Sequence, residues 1–142
     1  MGRTPEPLSI DQGKERIQNV QDDNSIIQFL IEKNGEKVGT IALFHIDRDY
    51  RKAEFGAFMV DPKHQGKGIG TKALELLLEY AFNELNLHRV EGGYIEDNDA
   101  SRIIQEKFSF QKEGRQREAK FKDGEYVDIV RMSLLEDEWR SE

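Results

Sequence analysis

The sequence contains no cysteine and few histidines, which removes several kinds of chemistry. Without cysteine it can form neither a disulfide scaffold nor a thiolate zinc site, and it cannot use a cysteine nucleophile. The three histidines, His45, His64 and His88, lack the spacing of metal ligands. Isolated histidines are more often surface or packing residues. We therefore predict no metal site and assign these side chains no role.

Long apolar runs and an excess of positive charge are also missing. No run approaches the roughly 20 residues of a membrane helix, and residues 1–7 lack a signal-peptide core, so we expect a soluble cytoplasmic protein with no membrane partner. The formal net charge is -7. Phosphate-backbone binding depends on Lys and Arg, so we expect no nucleic-acid partner. An acidic surface favours cationic or amine partners, although it commonly serves only solubility.

What is present is the composition of one ordinary globular domain. The chain has 142 residues, of which 37% are hydrophobic and 35% charged. This length supports a single core but not two independent ones. We therefore predict one domain over residues 1–142.

The first half predicts a short helix and then three strands. Ser9 and Gln12 fit a capping box, which predicts a short amphipathic helix. Its apolar positions are Ile10, Ile17 and Val20. Strand-like runs occupy residues 25–32, 38–46 and 53–60. Asn34-Gly35 supplies a tight turn between the first two runs, so we expect an antiparallel meander.

The second half predicts alternating helices and strands. Apolar residues recur at helical spacing from Ala73 to Leu85, which indicates a long helix with one buried face. A strand over residues 88–95 follows, and Asp97 or Asn98 can cap a second helix. The apolar side of that helix is Ala100, Ile103, Ile104 and Phe108. The tail predicts a hairpin that turns at residues 122–125, so the whole is an α/β fold with helices packed on a mixed sheet.

A glycine-rich turn, Gln65-Gly66-Lys67-Gly68-Ile69-Gly70, stands between a strand and a helix. Unpaired N–H groups at a helix start create an anion site there. A Walker A loop needs Ser or Thr directly after Gly-Lys, whereas Gly68 follows Lys67. A dinucleotide fingerprint needs a parallel strand before it, and a meander is the wrong setting, although Glu91 lies near the distance of the ribose ligand. The remaining reading is a pyrophosphate loop, Gln/Arg-x-x-Gly-x-Gly/Ala; its alternative is a tight turn that binds nothing.

The sequence around this turn resembles the GNAT superfamily of acyl-CoA N-acyltransferases. Residues 58–74, FMVDPKHQGKGIGTKAL, are similar to that family's strand, pyrophosphate loop and helix, almost position for position. Asn98-Asp99-Ala100-Ser101 and Glu106-Lys107-Phe108-Ser109-Phe110 resemble its Asn-x-x-Ala/Ser helix and its closing Glu-Lys-x-Gly-Phe. The tail, through Glu138-Trp139, resembles the branch that contains ribosomal-protein alanine and spermidine N-acetyltransferases.

The resemblance implies a GNAT-like fold and acetyl-CoA as co-substrate. In the family, two central parallel strands splay apart and pantetheine lies between them like an added strand. Main-chain groups of Phe58, Met59 and Val60 would pair with its amides. Gly92-Gly93 would help the second strand diverge, or would mark a flexible strand end.

The same resemblance assigns the rest of the cofactor site. Backbone N–H groups of the loop and the first helical residues would hold the diphosphate. These residues are Gln65, Gly66, Lys67, Gly68, Ile69, Gly70 and Thr71, and the Lys67 side chain would add charge. Asn98 would bond the pantetheine arm, cap its helix, or do both.

Acetyl transfer requires a neutral amine, a stabilised oxyanion and a proton for the leaving thiolate. An amine with a pKa of about 10 is mostly protonated at neutral pH, so a base or a water chain must remove its proton. The resemblance implies Glu54 as that base, since it lies eleven residues before Gln65. The alternative is a sheet-edge glutamate that faces water. A backbone N–H of Met59 or Val60 would stabilise the oxyanion.

Three features depart from the family pattern. Gln105 stands where many relatives carry a tyrosine that acts as the thiolate acid, so Ser101 or water would supply that proton. Ser109 replaces the family glycine, which leaves the following turn open. Only 24 residues precede Ser25, fewer than relatives carry there. Either the chain is truncated, or the acceptor pocket is open, or a second subunit completes it, as in a homodimer; we expect one of the last two.

Three functions remain open from the sequence. The leading hypothesis is an acetyl-CoA-dependent N-acetyltransferase acting on a polyamine, a small amine or a protein N-terminus. Its rival is a non-catalytic acyl-CoA sensor or regulatory module, suggested by Gln105 and the short N-terminus. The third is a structural α/β domain whose glycine loop binds nothing.

Overall fold

The computed structural model describes residues 8–12 and 25–141, which fall into two compact units. The first unit extends to Leu87 and the second begins at His88. Each unit combines antiparallel strands with helices, which confirms the predicted mixed α/β class. None of the helices in these ranges is long and apolar enough to span a membrane.

Four antiparallel strands form the sheet of the first unit, in the same order as along the chain. They are β1 Leu8–Gln12, β2 Ile27–Lys33, β3 Glu36–Asp47 and β4 Lys52–Val60. In the β2–β3 turn, Asn34 has a φ of 55° and Gly35 a φ of 82°. This left-handed pair is what a two-residue hairpin needs. The predicted meander is therefore confirmed.

The helix predicted from Ser9 is wrong where the structure describes it, because Ser9 and Gln12 lie in β1. Ser9 pairs with Glu32 and Gln12 pairs with Phe29 in an antiparallel ladder. The sequence Leu-Ser-Ile-Asp also alternates apolar and polar residues, the period of a strand. Backbone pairing along β2 outweighs a weak local helix signal. Ile17 and Val20 lie outside the described residues.

A long helix follows the glycine-rich turn. Helix α1, Ile69–Glu79, continues into a π-helical turn over Tyr80–Glu84. The helix packs against β1 and β3, and Phe29 of β2 meets Tyr80 edge-on with ring centroids 5.0 Å apart. Its apolar stripe is fully buried: Ala73, Leu74, Leu77, Leu78 and Ala81. Because each buried leucine contributes about 1.5–3 kcal/mol, this stripe is a major source of stability in the unit, and the predicted helix is confirmed.

The pairing of β3 with β4 is irregular at two places. At one of them, the two residues Ala57 and Phe58 of β4 face the single residue Ile41 of β3. Beyond this bulge Gly39 pairs with Val60, and a Cβ on Gly39 would overlap the carbonyl oxygen of Met59. Only glycine allows the two backbones to approach this closely.

The second unit has three antiparallel strands in the order β5-β7-β6. Its elements are β5 Arg89–Ile95, α2 Asp99–Lys107, β6 Gln111–Lys122, β7 Glu125–Leu135 and α3 Glu136–Arg140. Asp123 at φ 52° and Gly124 at φ 82° form the turn of the β6–β7 hairpin. The predicted tail hairpin is confirmed at its predicted position.

Helix α2 buries a different face from the one its apolar residues predict. Its buried residue is Gln105, whereas Ile103 is 53% exposed and Ala100 is also exposed. The Gln105 side-chain amide donates to the carbonyl of Gly93 at 2.9 Å and to Ser101 Oγ at 3.0 Å. The NH₂ group of this buried amide thus finds two acceptors, which favours this rotation of the helix, whereas its Oε1 has no hydrogen-bond partner among the described residues. Of the predicted apolar side, Ile104 and Phe108 are only half-buried.

Ser109 forms a left-handed turn at the position where the resembled family carries glycine. It has a φ of 69°, in the left-handed region, and the Phe110 N–H donates to the Gln105 carbonyl at 3.0 Å. A non-glycine residue in this region costs roughly 1–2 kcal/mol. Phe110 is only 4% exposed, and its burial offsets this cost.

Gly93 is required by the close approach of β7. The β5–β7 ladder runs without a break through all seven residues of β5. A Cβ on Gly93 would lie 2.8 Å from the carbonyl oxygen of Val130. The β5–β7 ladder therefore shows no frayed end at the glycine pair, and the divergence that the resemblance implies for β5 stays a prediction.

An ion pair with a bidentate contact links β5 to β6. Arg89 donates to both carboxylate oxygens of Glu113, at 2.9 and 2.6 Å, and to Glu91 at 2.8 Å. Ser133 adds a hydrogen bond to Glu113 at 2.8 Å. The Arg89 hydrogen bond first, and the Ser133 hydroxyl second, lower the pKa of the Glu113 carboxyl to about 2.

We expect Glu113→Gln to destabilise the protein at neutral pH by about 1 kcal/mol, because the Glu113 side chain is 42% exposed and partly screened by solvent. A carboxyl whose folded pKa is lowered stabilises the fold above its ordinary pKa and loses this effect as the pH falls towards about 2. Urea unfolding from pH 7 to pH 2.5 should show that the free energies of unfolding of the parent protein and of Glu113→Gln converge. Glu125→Gln, an exposed change in the same hairpin, is the control. A constant difference at every pH would contradict this account.

We expect Gly39→Ala to lower the free energy of unfolding by at least about 1–3 kcal/mol, because the added methyl group overlaps backbone atoms that cannot rotate away. Gly114→Ala is the matched control, since a Cβ there would meet nothing within 4 Å. Its cost should stay within about 0.5 kcal/mol. Chemical denaturation of both variants measures the difference; equal stabilities would refute the contact.

Candidate functional site

The glycine-rich turn is anchored on the side of β4. The Asp61 N–H donates to the Val38 carbonyl at 2.8 Å, and a 3-10 turn over Pro62–His64 follows. The Gln65 side-chain amide then donates to the Val60 carbonyl at 2.9 Å. Gln65 thereby ties the loop to the last residue of β4.

The loop adopts a conformation that two glycines make possible. Gly66 has a φ of 77° and Gly68 a φ of 78°, and a Cβ on either would meet no atom within 4 Å. Gly68 is the N-cap of α1, and the first helical hydrogen bond runs from Lys72 N–H to the Gly68 carbonyl at 3.1 Å. The N–H groups of the first turn consequently have no acceptor within the helix. The open space over a helix N-terminus suits an anion.

Three lysines surround this loop. Lys63 lies 3.6 Å from Glu36 and Lys72 lies 3.4 Å from Glu75, so both have carboxylate partners. Lys67 is exposed in the middle of the turn, and Thr71 is half-buried in the first turn of the helix. Positive charge beside free N–H groups reinforces the attraction for a phosphate.

Near the end of β4, the backbone pairs irregularly with β3. Phe58 lies in the bulge and is half-buried, Met59 is 69% exposed, and Val60 is half-buried. A bulge leaves ladder groups unpaired and re-aims the following residues. The three residues therefore lie directly before the loop, in a segment whose pairing with β3 is interrupted.

Glu54 lies nearer the start of β4, on the face opposite the core residues Ala53 and Phe55. It pairs across the ladder with Phe44, and its side chain is 29% exposed. Its Oε1 lies 3.4 Å from Nδ1 of His45. The carboxylate is thus partly buried but remains open to solvent.

The second unit holds the other two predicted site residues. Asn98 Oδ1 accepts the Ser101 N–H at 3.1 Å, so Asn98 is the N-cap of α2. Ser101 is half-buried, and its hydroxyl oxygen accepts the Gln105 amide. This bond uses an oxygen lone pair and leaves the hydroxyl proton available for donation. The capping role expected for Asn98 is confirmed.

The predicted residues therefore fall into two groups. Glu54 and the residues from Phe58 to Thr71 belong to the first unit, whereas Asn98 and Ser101 belong to the second. The sequence predicted no role for His45, and for Gln65 it predicted a backbone contact with the diphosphate but not the side-chain bond to Val60. Nothing in the sequence signals the bulge that brings His45 beside Glu54. In the described residues, no group of three His, Asp or Glu side chains is placed to hold a metal.

Comparison with known proteins agrees with this geometry. A sequence model of the acetyltransferase (GNAT) domain matches residues 1–111. Spermidine N(1)-acetyltransferase of Escherichia coli strain K12 is 32% identical over 120 residues, which cover 84% of this chain and 64% of that protein. The putative ribosomal N-acetyltransferase YdaF of Bacillus subtilis strain 168 is 38% identical over 109 residues, 77% of this chain and 59% of that protein. The chain thus spans less than two thirds of the length of these two relatives.

Solved structures give the same result. A dodecameric structure of spermidine N-acetyltransferase from Vibrio cholerae in an intermediate state superimposes with a TM-score of 0.82 at 31% identity. The match covers 91% of this chain and 77% of that one. Sequence match, fold and loop geometry agree, and the chain belongs to the GNAT acetyltransferase family.

Proposed function

We propose that this protein is an acetyl-CoA-dependent N-acetyltransferase that acetylates a primary amine by direct attack in a ternary complex. The observation that carries the proposal is the loop from Gln65 to Gly70. Its two left-handed glycines leave open space over the unpaired N–H groups of a helix start. A diphosphate is the group that such a cradle fits, and coenzyme A carries one.

Each part of the cofactor site has a proposed role. The backbone N–H groups from Gln65 to Thr71 hold the diphosphate, and the Lys67 side chain adds a positive charge. Main-chain groups of Phe58, Met59 and Val60 pair with the pantetheine amides, which the interrupted ladder with β3 supports. Asn98 contributes to the pantetheine arm in addition to its capping bond. When bound, acetyl-CoA supplies the activated acetyl thioester.

Glu54 is the proposed base. Its carboxylate is partly buried yet open to solvent, so it can take a proton from an incoming ammonium group and release it. The N–H of Met59 or Val60 stabilises the negative charge that develops on the acetyl oxygen. Ser101 donates the proton to the leaving thiolate, and its hydroxyl orientation is favoured by the Gln105 bond.

A polyamine is the proposed acceptor. The net charge of -7 attracts polycations and raises their encounter rate with the protein. The Escherichia coli and Vibrio cholerae relatives are both named as spermidine acetyltransferases. We further propose that residues 1–142 act as one domain and that a second subunit of a homodimer completes the acceptor pocket. The dodecameric structure of the Vibrio cholerae relative supports the proposal that subunits of this protein assemble.

A non-catalytic acyl-CoA sensor is the second candidate, and Gln105 is the observation that favours it. Its amide is buried and cannot act as an acid, at the position where the resemblance implies a tyrosine. The two functions differ in turnover. Acetyl-CoA binding measured by titration calorimetry, followed by thiol release with spermidine, spermine, amino acids and N-terminal peptides, separates them. Binding without amine-dependent thiol release supports the sensor, and no binding rejects both.

We expect Gly68→Val to weaken acetyl-CoA binding by about 100-fold, because the branched side chain occupies the space over the N–H groups and disfavours the left-handed conformation. Calorimetric titration measures the Kd. Gly124→Val is the matched control, since Gly124 also has a positive φ of 82° and open space around it but lies in the β6–β7 turn. It should lose stability similarly and retain binding. A normal Kd for Gly68→Val would reject the loop as the diphosphate site.

We expect Glu54→Gln to leave the Kd for acetyl-CoA unchanged and to lower kcat by about 100-fold to 10,000-fold, the range that a positioned base contributes. Glutamine has almost the same shape but accepts no proton. Steady-state thiol release with the best amine of the panel measures the effect. Glu79→Gln, an exposed change on α1, should turn over normally. Full activity in Glu54→Gln would reject Glu54 as the catalytic base.

A further inference from the structure

The second irregularity in the β3–β4 ladder is a bulge that presents His45. Two residues of β3, His45 and Ile46, face the single residue Ala53 of β4. His45 has a φ of 51°, in the left-handed region that this type of bulge usually fills with glycine. A histidine there costs roughly 1–2 kcal/mol. Strain of this kind, kept next to an expected reacting group, suggests a functional reason.

The bulge sends its two side chains to opposite environments. Ile46 is 8% exposed, and its N–H donates to the Ser25 carbonyl at 2.9 Å. The His45 side chain is 83% exposed, and its Nδ1 lies 3.4 Å from Glu54 Oε1. Without the extra residue, the alternation of the strand could not keep Ile46 in the core and also turn His45 towards Glu54. His45 therefore forms a bridge between a half-buried carboxylate and bulk water.

We propose that His45 is a positioning residue that orients Glu54 and relays its proton to solvent. This proposal rests on the proposed function, in which Glu54 takes a proton from the ammonium group of the acceptor. The proton then passes from Glu54 to Nδ1 of His45, and the ring releases its other N–H proton from Nε2 to water. One proton moves from amine to solvent, and both side chains are ready for the next turnover once the ring has exchanged its protons with water. Imidazole suits this step because one ring nitrogen can accept a proton while the other donates one.

The pair is better suited to a relay than to a metal. The described residues hold no cluster of three ligating side chains, so His45 and Glu54 lack the further ligands that a cation requires. The nearest charged neighbours on the same ladder are Asp47 and Lys52, which pair at the far side of the bulge. Asp47 accepts the Tyr50 N–H at 2.9 Å, and Glu54 also keeps direct access to solvent through its 29% exposed side chain.

His45→Gly tests the relay, because glycine relieves the backbone strain while it removes the imidazole. A purely structural histidine predicts equal or higher thermal stability and an unchanged rate. The relay predicts equal or higher thermal stability together with a kcat lowered by about tenfold. This loss is smaller than that expected for Glu54→Gln, because Glu54 can still exchange protons slowly with water. The KM for the amine and the Kd for acetyl-CoA should stay within about twofold. Imidazole added to the buffer should restore most of the lost rate.

Two further variants sharpen the experiment. Asn34→Gly is the matched control, since Asn34 also has a left-handed φ, 55°, but lies in the β2–β3 turn; its kcat should equal that of the parent protein. The double variant His45→Gly/Glu54→Gln should not respond to imidazole, because the group that imidazole serves is gone. His45→Asn tolerates the left-handed backbone and carries no relay, so it should repeat the loss of kcat even if the glycine variant folds poorly.

The outcomes separate the two proposals. If the parent protein releases thiol with an amine and His45→Gly does so at the same rate, or without any response to imidazole, the relay is rejected and the N-acetyltransferase stands. If the parent protein binds acetyl-CoA but shows no amine-dependent thiol release, the transferase is rejected and the relay falls with it.

Discussion

The close contact between β3 and β4 at Gly39 is the constraint from which the first unit's site is built. Because no side chain stands at Gly39, the backbone of Met59 can lie directly against it. This contact holds the end of β4 beyond its bulge, and the Val60 carbonyl there accepts the Gln65 amide. The loop, the helix start and the unpaired N–H groups follow from the position of that strand end.

Both bulges in the β3–β4 ladder change which backbone groups are unpaired and which way side chains point. A regular ladder alternates inward and outward side chains and pairs every second backbone group. The bulge in β4 interrupts pairing just before Met59, where backbone groups are proposed to bind the cofactor. The bulge in β3 turns His45 towards Glu54. The apolar packing of α1 on the sheet offsets the strain, because its buried stripe contributes several kcal/mol.

In the second unit, a buried amide takes the place that an apolar side chain usually fills. Gln105 joins α2 to β5 through the Gly93 carbonyl and also binds the Ser101 hydroxyl. These two bonds of the Gln105 NH₂ group favour one rotation of the helix, because a buried donor without an acceptor is costly. The same bond orients the hydroxyl that is the proposed thiolate acid. The orientation of the helix and the proposed chemistry therefore involve the same side chain.

The sequence by itself determined the elements whose signals are local. Two-residue turns at Asn34-Gly35 and Asp123-Gly124, the long stripe of α1 and the cap at Asn98 each depend on neighbours in the chain, and all are confirmed. The family membership also followed from contiguous motifs. The assignments of Glu54, Ser101 and the loop to chemistry stay predictions. Tertiary structure decided what depends on distant partners: Ser9 joined a strand because β2 offered backbone bonds, and α2 turned Gln105 inward because Gly93 offered a carbonyl. The contact of His45 with Glu54 arises from a bulge in pairing between two strands, and no single strand's sequence encodes the register of its neighbour.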